Sequence, residues 1–123
     1  MKKKISVLLV DDNIEFSDLL NEYISKYKDI HIIGIARDGI EAMEMIDILK
    51  PDVVLLDIIM PNLDGIGVLE KFSRKRSEPR PMFIILSAIG QDVFIKKAIS
   101  LGAEYYIVKP FDVDILVSRI RQI

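Results

Sequence analysis

Four short apolar runs, each followed directly by a polar residue, constrain the fold of this chain more than any other sequence feature. The polar residues, in chain order, are Asp11 with Asp12, Asp57, Ser87 and Lys109. The runs are apolar at every position, not at alternate ones, and therefore predict strands buried on both faces, as in a parallel sheet covered by helices. In such sheets the ligand crevice lies at the carboxyl ends of the strands. These polar side chains are therefore predicted to converge on one small site.

Segments with helical spacing of apolar residues alternate with the strand-like runs. The predicted strands are 5–10, 31–36, 52–56, 82–86 and 105–108, and the predicted helices are 14–28, 38–49, 66–74, 91–101 and 113–123. This alternation predicts an α/β fold with right-handed crossovers, a doubly wound, five-stranded parallel sheet of the flavodoxin-like (βα)5 type. In the strand order 2-1-3-4-5, Asp11 and Asp12 would lie beside Asp57. With no internal linker, residues 1–123 are expected to form one domain.

Composition narrows the classes of function. A net charge of −2 and a pI near 5.4 give no basic surface for nucleic acid, so direct binding to it is not expected. The basic segment at 73–81 is interpreted as a solvated loop. The first apolar run is too short for a signal peptide and no run reaches the ~18 residues of a membrane span, so we expect a cytoplasmic protein without membrane contact.

Three carboxylates at close range repel one another, so at neutral pH the predicted site needs a cation. Mg²⁺ is the natural choice because it prefers oxygen ligands and commonly uses one or two carboxylates together with a phosphate oxygen. A carboxylate can also attack phosphorus, with a hydroxyl and a lysine stabilising the charge that develops. The set therefore predicts phosphoryl transfer to an aspartate. Taken singly, each residue also fits a helix cap or a surface turn.

The chain resembles the receiver domains of two-component response regulators. The matching stretches are VLLVDDN, DVVLLDIIMPNLDG, ILSA and GAEYYIVKPF, at 7–13, 52–65, 85–88 and 102–111. The resemblance implies that Asp57 accepts a phosphoryl group from a sensor histidine kinase or a histidine phosphotransfer protein. It further implies that Asp12, Asp57 and the backbone carbonyl of Ile59 coordinate Mg²⁺, while Asp11 acts mainly through metal-bound water.

The same resemblance assigns roles to residues after the fourth and fifth strands. Ser87 and Lys109 would contact the phosphoryl group, and Tyr106 corresponds to the aromatic switch residue. The Lys109–Pro110 peptide bond would be cis and would aim the lysine inward. Phosphorylation would then change the face formed by the fourth helix, fifth strand and fifth helix. Such a chain is not an enzyme in the usual sense, although it would catalyse its own phosphorylation and slow dephosphorylation.

A narrower resemblance is to receivers that govern spore formation in endospore-forming bacteria, and it rests on residues 58–72 and 86–112. It implies control of sporulation transcription through a DNA-binding effector domain outside this sequence. A separate phosphatase is a further expected partner, because the apolar side chains of Ile59 and Ile89 cannot orient a hydrolytic water and predict a slow loss of phosphate.

Three alternatives stay open from the sequence. The first is a Mg²⁺-dependent phosphohydrolase with an aspartyl phosphate at Asp11, although Asn13 stands where such enzymes carry their second aspartate. The second is a flavin carrier, whose first loop would cradle phosphate with backbone N–H groups and not with carboxylates. The third is a stand-alone response regulator with no attached effector domain.

Overall fold

A computed structural model describes residues 4–74 and 79–123. The strands are β1 (Ile5–Val10), β2 (Ile30–Ala36), β3 (Val53–Leu56), β4 (Met82–Ser87) and β5 (Ala103–Val108). The helices are α1 (Ile14–Ile24), α2 (Gly39–Leu49), α3 (Gly65–Ser73), α4 (Asp92–Ser100) and α5 (Val113–Ile120). Residues 1–3 at the basic start of the chain and residues 75–78 of the predicted loop at 73–81 lie outside the described residues. In the part that is described, no helix is long and apolar enough to cross a membrane.

The strands form one parallel sheet in the order β2-β1-β3-β4-β5. This confirms the predicted fold class and strand order. Val10 pairs with Leu56 at the ends of β1 and β3, so the residues that follow these two strands are brought side by side. The register therefore fixes the position of the site before any side chain is considered.

The sheet is covered on both faces, as the continuous apolar runs predict. Leu8 and Val10 point into a core shared with α2, α3 and α4, whereas Val7 and Leu9 point into a core shared with α1 and α5. All four residues of β3 are fully buried. Because both faces of the central strands are covered, polar side chains can reach solvent only where the strands end.

The helix ends differ from the predicted ones by up to four residues. The first helix ends at Ile24, not at Lys28, because the chain must turn to begin β2 beside β1, where the N–H of Ile5 donates to the carbonyl of Asp29 at 2.8 Å. Tyr27 lies in this turn and its hydroxyl donates to Asp114 at 2.8 Å. Apolar spacing continues through the turn because Tyr27 packs against the same core as α1.

Candidate functional site

Backbone hydrogen bonds fix the positions of the polar residues at the carboxyl edge of the sheet. The N–H of Asp11 donates to the carbonyl of Ala36 at 3.0 Å, and the N–H of Asp57 donates to the carbonyl of Val10 at 3.0 Å. The N–H of Lys109 likewise donates to the carbonyl of Ser87 at 2.8 Å. These hydrogen bonds extend the sheet by one residue past the strand ends, so that the functional side chains start from fixed backbone positions.

Three carboxylates meet at this edge. Asp11, Asp12 and Asp57 each place a carboxylate oxygen within 4.8 Å of the other two. Asp11 is buried, Asp57 is partly buried and Asp12 is exposed, so the cluster opens towards solvent on one side. Several hard oxygen donors within reach of one ion, with room left for water, suit Mg²⁺ better than a softer metal.

Lys109 lies between the two inner carboxylates. Its ammonium donates to Oδ2 of Asp11 at 2.8 Å and lies 4.0 Å from Oδ2 of Asp57. It also lies 3.9 Å from the centroid of the Phe16 ring, in a cation–π arrangement. The other oxygen of Asp11 accepts from the N–H of Asn13 at 2.8 Å. Asp11 and Lys109 are therefore held in one geometry, and the ammonium is within a short movement of Asp57.

Burial raises the pKa of Asp57 to about 6. The ammonium of Lys109 opposes this rise, the nearby charge of Asp11 adds to it, and the N–H groups of Ile58 and Ile59 favour the charged form. At neutral pH the carboxylate is thus mostly ionised, and a cation beside it is strongly favoured. An ionised oxygen of this kind is also the form that can act as a nucleophile.

Ser87 and Tyr106 lie on either side of the loop that follows β4. The buried Ser87 hydroxyl accepts from the N–H of Ile89 at 3.2 Å, and the Tyr106 hydroxyl donates to the carbonyl of the same Ile89. Burial raises the pKa of Tyr106, while a hydrogen bond with Ser87 lowers it. The backbone of Ile89 is therefore shared between the two side chains, so a movement of one affects the other.

The remaining predicted positions lie close to this cluster. The Lys109–Pro110 peptide bond is cis. Ile59 lies two residues past Asp57 and is 63% exposed. The loop that contains Ile59 returns closely on itself: a Cβ on Gly65 would lie 2.2 Å from the carbonyl oxygen of Asp57. Only glycine allows this approach.

Sequence reasoning missed two contacts at the same edge. Arg37 donates to the backbone carbonyl of Asp11 at 3.3 Å, and Asp38 accepts from the side chain of Asn62 at 2.7 Å. Arg37 directly follows β2, just as the predicted site residues follow the other strands, and this signal could have identified it. No comparable pattern pairs Asp38 with Asn62, because the contact joins two loops.

Comparisons with known proteins identify the family and support the fold. A family model described as the response regulator receiver domain matches residues 7–121. The response regulator domain of Thermotoga maritima CheB is 33% identical with a TM-score of 0.87, over 98% of this chain and 96% of that one. A chain of the CheX–CheY–BeF3–Mg²⁺ complex from Borrelia burgdorferi is 30% identical with a TM-score of 0.84, over 98% and 89%. A DNA-binding response regulator of the LuxR family from Staphylococcus aureus is 25% identical with a TM-score of 0.88, over 96% and 97%.

Proposed function

Because the chain belongs to the response regulator receiver domain family, a module of two-component signalling, we propose that residues 1–123 act as one receiver that accepts a phosphoryl group on Asp57. The observation that carries the proposal is the meeting of Asp57 with two further carboxylates and the ammonium of Lys109 at one edge of the sheet. Neither a structural ion pair nor helix capping requires all of these groups in one place.

The proposed cofactor is Mg²⁺. We assign its protein ligands to Asp12, Asp57 and the backbone carbonyl of Ile59, with Asp11 acting through a bound water. The mutual reach of the three carboxylates supports this set, as does the presence of BeF3 and Mg²⁺ in the similar Borrelia burgdorferi complex. When bound, the ion would neutralise charge on the phosphoryl oxygens and on the carboxylates.

The proposed reaction is an in-line displacement at phosphorus. A carboxylate oxygen of Asp57 forms the new P–O bond while the P–N bond to a histidine of the donor breaks, and the imidazole leaves with that electron pair. Lys109 would move from Asp11 to a phosphoryl oxygen, a short step because its ammonium already lies 4.0 Å from Asp57. The Ser87 hydroxyl would donate to another phosphoryl oxygen.

We propose that the phosphoryl group switches the face formed by α4, β5 and α5. If Ser87 turns towards the new oxyanion, its contact with the N–H of Ile89 changes, and the Tyr106 hydroxyl that holds the carbonyl of Ile89 responds. A ligand can shift such an equilibrium only by its differential affinity for the two states. The shared Ile89 backbone supplies that difference, because its contacts depend on the position of Ser87.

The proposed donor is a histidine kinase or histidine phosphotransfer protein. An apolar groove of about 600 Å³ between α1 and the loop after β5 opens beside Lys109, and its lining includes Phe16, Leu19 and Phe111. Leu19 is 52% exposed. Apolar surface this close to the site supports docking of a protein, since a small phosphodonor needs no such contact. Under this proposal, the phosphoryl transfer from either donor to this chain takes place in the cytoplasm.

The proposed output is regulation of transcription through a DNA-binding effector domain. A similar chain from Staphylococcus aureus is a DNA-binding response regulator, which supports an output of this type. The finer proposal, control of spore formation, rests on the resemblance at 58–72 and 86–112. Loss of sporulation on deletion of the gene, restored by wild type and not by Asp57→Asn, would support it, and normal sporulation would contradict it. The alternative is a stand-alone response regulator, which acts without an attached effector domain.

The geometry disfavours the phosphohydrolase alternative. Both carboxylate oxygens of Asp11 are engaged, one by Asn13 and one by Lys109, and the side chain is buried. A nucleophile needs a free, accessible oxygen, and Asp57 offers a better one. Treatment with acetyl phosphate and Mg²⁺, followed by mapping of the labelled peptide, tests the proposal: a label on Asp57 supports the receiver function, and a label on Asp11 supports the hydrolase.

A further inference from the structure

The turn that follows β2 contacts both loops of the proposed metal site, although it supplies no ligand. Arg37 and Asp38 form this turn between β2 and α2. Arg37 contacts the loop between β1 and α1, which contains Asp11 and Asp12. Asp38 contacts the loop between β3 and α3, which contains Ile59. Two consecutive residues thus reach towards opposite sides of the same site.

Arg37 joins the end of β1 to the first turn of α1. Its Nη1 donates to the backbone carbonyl of Asp11 at 3.3 Å and to the hydroxyl of Ser17. The Ser17 side chain is fully buried, and its own hydroxyl proton goes to the carbonyl of Ile14 at 3.0 Å. Asp12 lies between the two anchored points. A single guanidinium therefore restrains the short segment from which Asp12 projects.

Asp38 holds the second loop in a similar way. One carboxylate oxygen caps α2 by accepting from the N–H of Glu41 at 2.8 Å, and the other accepts from Nδ2 of Asn62 at 2.7 Å. Both hydrogen bonds lower the pKa of Asp38. Asn62 has a φ of 68°, a left-handed conformation that few side chains accept.

Close backbone packing fixes the same loop. A Cβ on Gly39 would lie 2.0 Å from the carbonyl oxygen of Leu63, so the first residue of α2 lies directly against the β3–α3 loop. The hydrogen bond from Asn62 and this contact together define where the loop sits relative to β1. Ile59 is in the same loop, three residues before Asn62.

The geometry points to Arg37 and Asp38 as a positioning pair that holds the β1–α1 and β3–α3 loops in the arrangement needed to bind Mg²⁺. The inference rests on the proposed function and adds to it residues that touch neither the cation nor the phosphoryl group. Loops fixed in advance lose less conformational entropy on binding, so loss of either anchor weakens metal binding. Groups that orient metal ligands commonly account for about ten- to a hundredfold in affinity.

If Arg37 acts only through its charge, its removal should tighten Mg²⁺ binding, and if it acts as a positioning residue, its removal should weaken Mg²⁺ binding. A positive charge beside a divalent cation site disfavours the cation, so removal of the charge alone tightens Mg²⁺ binding. If Arg37 positions the Asp11–Asp12 segment, its removal instead weakens binding despite the loss of repulsion. The sign of the change therefore separates the two roles.

The test is direct titration of the 123-residue protein with Mg²⁺ by calorimetry or NMR. Arg37→Ala is expected to weaken binding by about tenfold, and Arg37→Lys, which keeps the charge but not the planar fork, by an intermediate factor. Lys28→Ala removes an exposed cation at the opposite edge of the sheet, before β2 begins; it controls for the change in net charge and should change little. Unchanged or tighter binding in Arg37→Ala overturns the inference for Arg37.

Two neutral substitutions keep the test valid if Arg37→Ala folds poorly. Ser17→Ala removes one Arg37 partner and leaves every charge in place. Asn62→Gly removes the contact with Asp38 while accepting the positive φ. Each variant is expected to bind Mg²⁺ several-fold more weakly than wild type, with an NMR spectrum that shows a folded protein. If both variants bind Mg²⁺ as tightly as wild type, the inference is overturned.

Phosphorylation by acetyl phosphate separates this inference from the proposed function. In Arg37→Ala and Asn62→Gly we expect the Mg²⁺ concentration for half-maximal labelling to rise, with near wild-type labelling at saturating Mg²⁺. Labelling reduced equally at all Mg²⁺ concentrations would contradict a positioning role. If wild type is not labelled on Asp57 at all, the proposed function itself fails, whatever the metal titrations give.

Discussion

Replacing Asp57 with asparagine should stabilise the metal-free protein at neutral pH. Burial raises the pKa of this carboxyl from 3.8 to about 6, so the folded state favours the neutral form. Asparagine is neutral, has nearly the same shape, and can still accept from the N–H groups of Ile58 and Ile59. The substitution therefore removes the unfavourable charge and keeps the hydrogen bonds.

The magnitude follows from the pKa. One pKa unit corresponds to about 1.4 kcal/mol, so ionised Asp57 lowers the free energy of unfolding by roughly 3 kcal/mol. Its side chain is 13% exposed, and screening by solvent reduces the expected gain to about 2 kcal/mol. Between about pH 4 and pH 6 the folded state binds more protons at Asp57 than the unfolded state does. The destabilisation is thus absent below about pH 4 and complete above about pH 7.

Urea denaturation in EDTA, at several pH values between 5 and 8, measures this difference. Asp57→Asn should exceed wild type in unfolding free energy by an amount that grows with pH. Added Mg²⁺ should narrow the gap, because it binds folded wild type and adds to its stability. Asp47→Asn, at an exposed carboxylate of α2, is the matched control and should stay within about 0.5 kcal/mol. Equal or lower stability of Asp57→Asn at pH 8 would refute the reasoning.

Three further predictions test the proposed chemistry. Asp12→Ala should lose Mg²⁺ binding and Asp57 phosphorylation together, and normal phosphorylation in excess EDTA would contradict the metal assignment. Beryllofluoride should shift NMR resonances of Tyr106 and α4 as well as those around Asp57, whereas shifts confined to Asp57 would count against the switch. Ile59→Asn and Ile89→Glu should speed the loss of phosphoryl label from the purified protein by up to about a hundredfold, because a polar side chain can orient the hydrolytic water. Unchanged rates in both variants would show that the isoleucine side chains do not shield the phosphorus.

The fold could be predicted because burial on both faces leaves a distinct pattern in the central strands. All four residues of β3 are apolar and fully buried, and β1 and β4 contain buried apolar runs of the same kind at 7–10 and 83–86. The edge strand β5 is only partly buried, and it begins at Ala103, two residues before the predicted start at Tyr105. The other strand limits differ from the predicted ones by at most one residue. Helix ends such as Ser25 depend on where the next strand must begin, which local spacing does not encode.

The candidate site could be located from the sequence, but its contacts could not. A polar residue after a buried strand indicates where a side chain starts, and this placed Asp11, Asp57 and Lys109 at one edge. The hydrogen-bond partner of each side chain depends on its rotamer and on the position of loops that are distant in sequence. Two contacts are of this kind: Lys109 with Asp11 at 2.8 Å and Asp38 with Asn62 at 2.7 Å.

Mapping the phosphorylated residue tests the central claim most directly. The purified protein is treated with acetyl phosphate or phosphoramidate in the presence of Mg²⁺, and the modified peptide is identified by mass spectrometry alongside Asp57→Asn. We predict one phosphoryl group per chain, on Asp57, and none in Asp57→Asn or in excess EDTA. Modification of Asp11, or undiminished labelling of Asp57→Asn, would contradict the proposal that Asp57 is the phosphoacceptor.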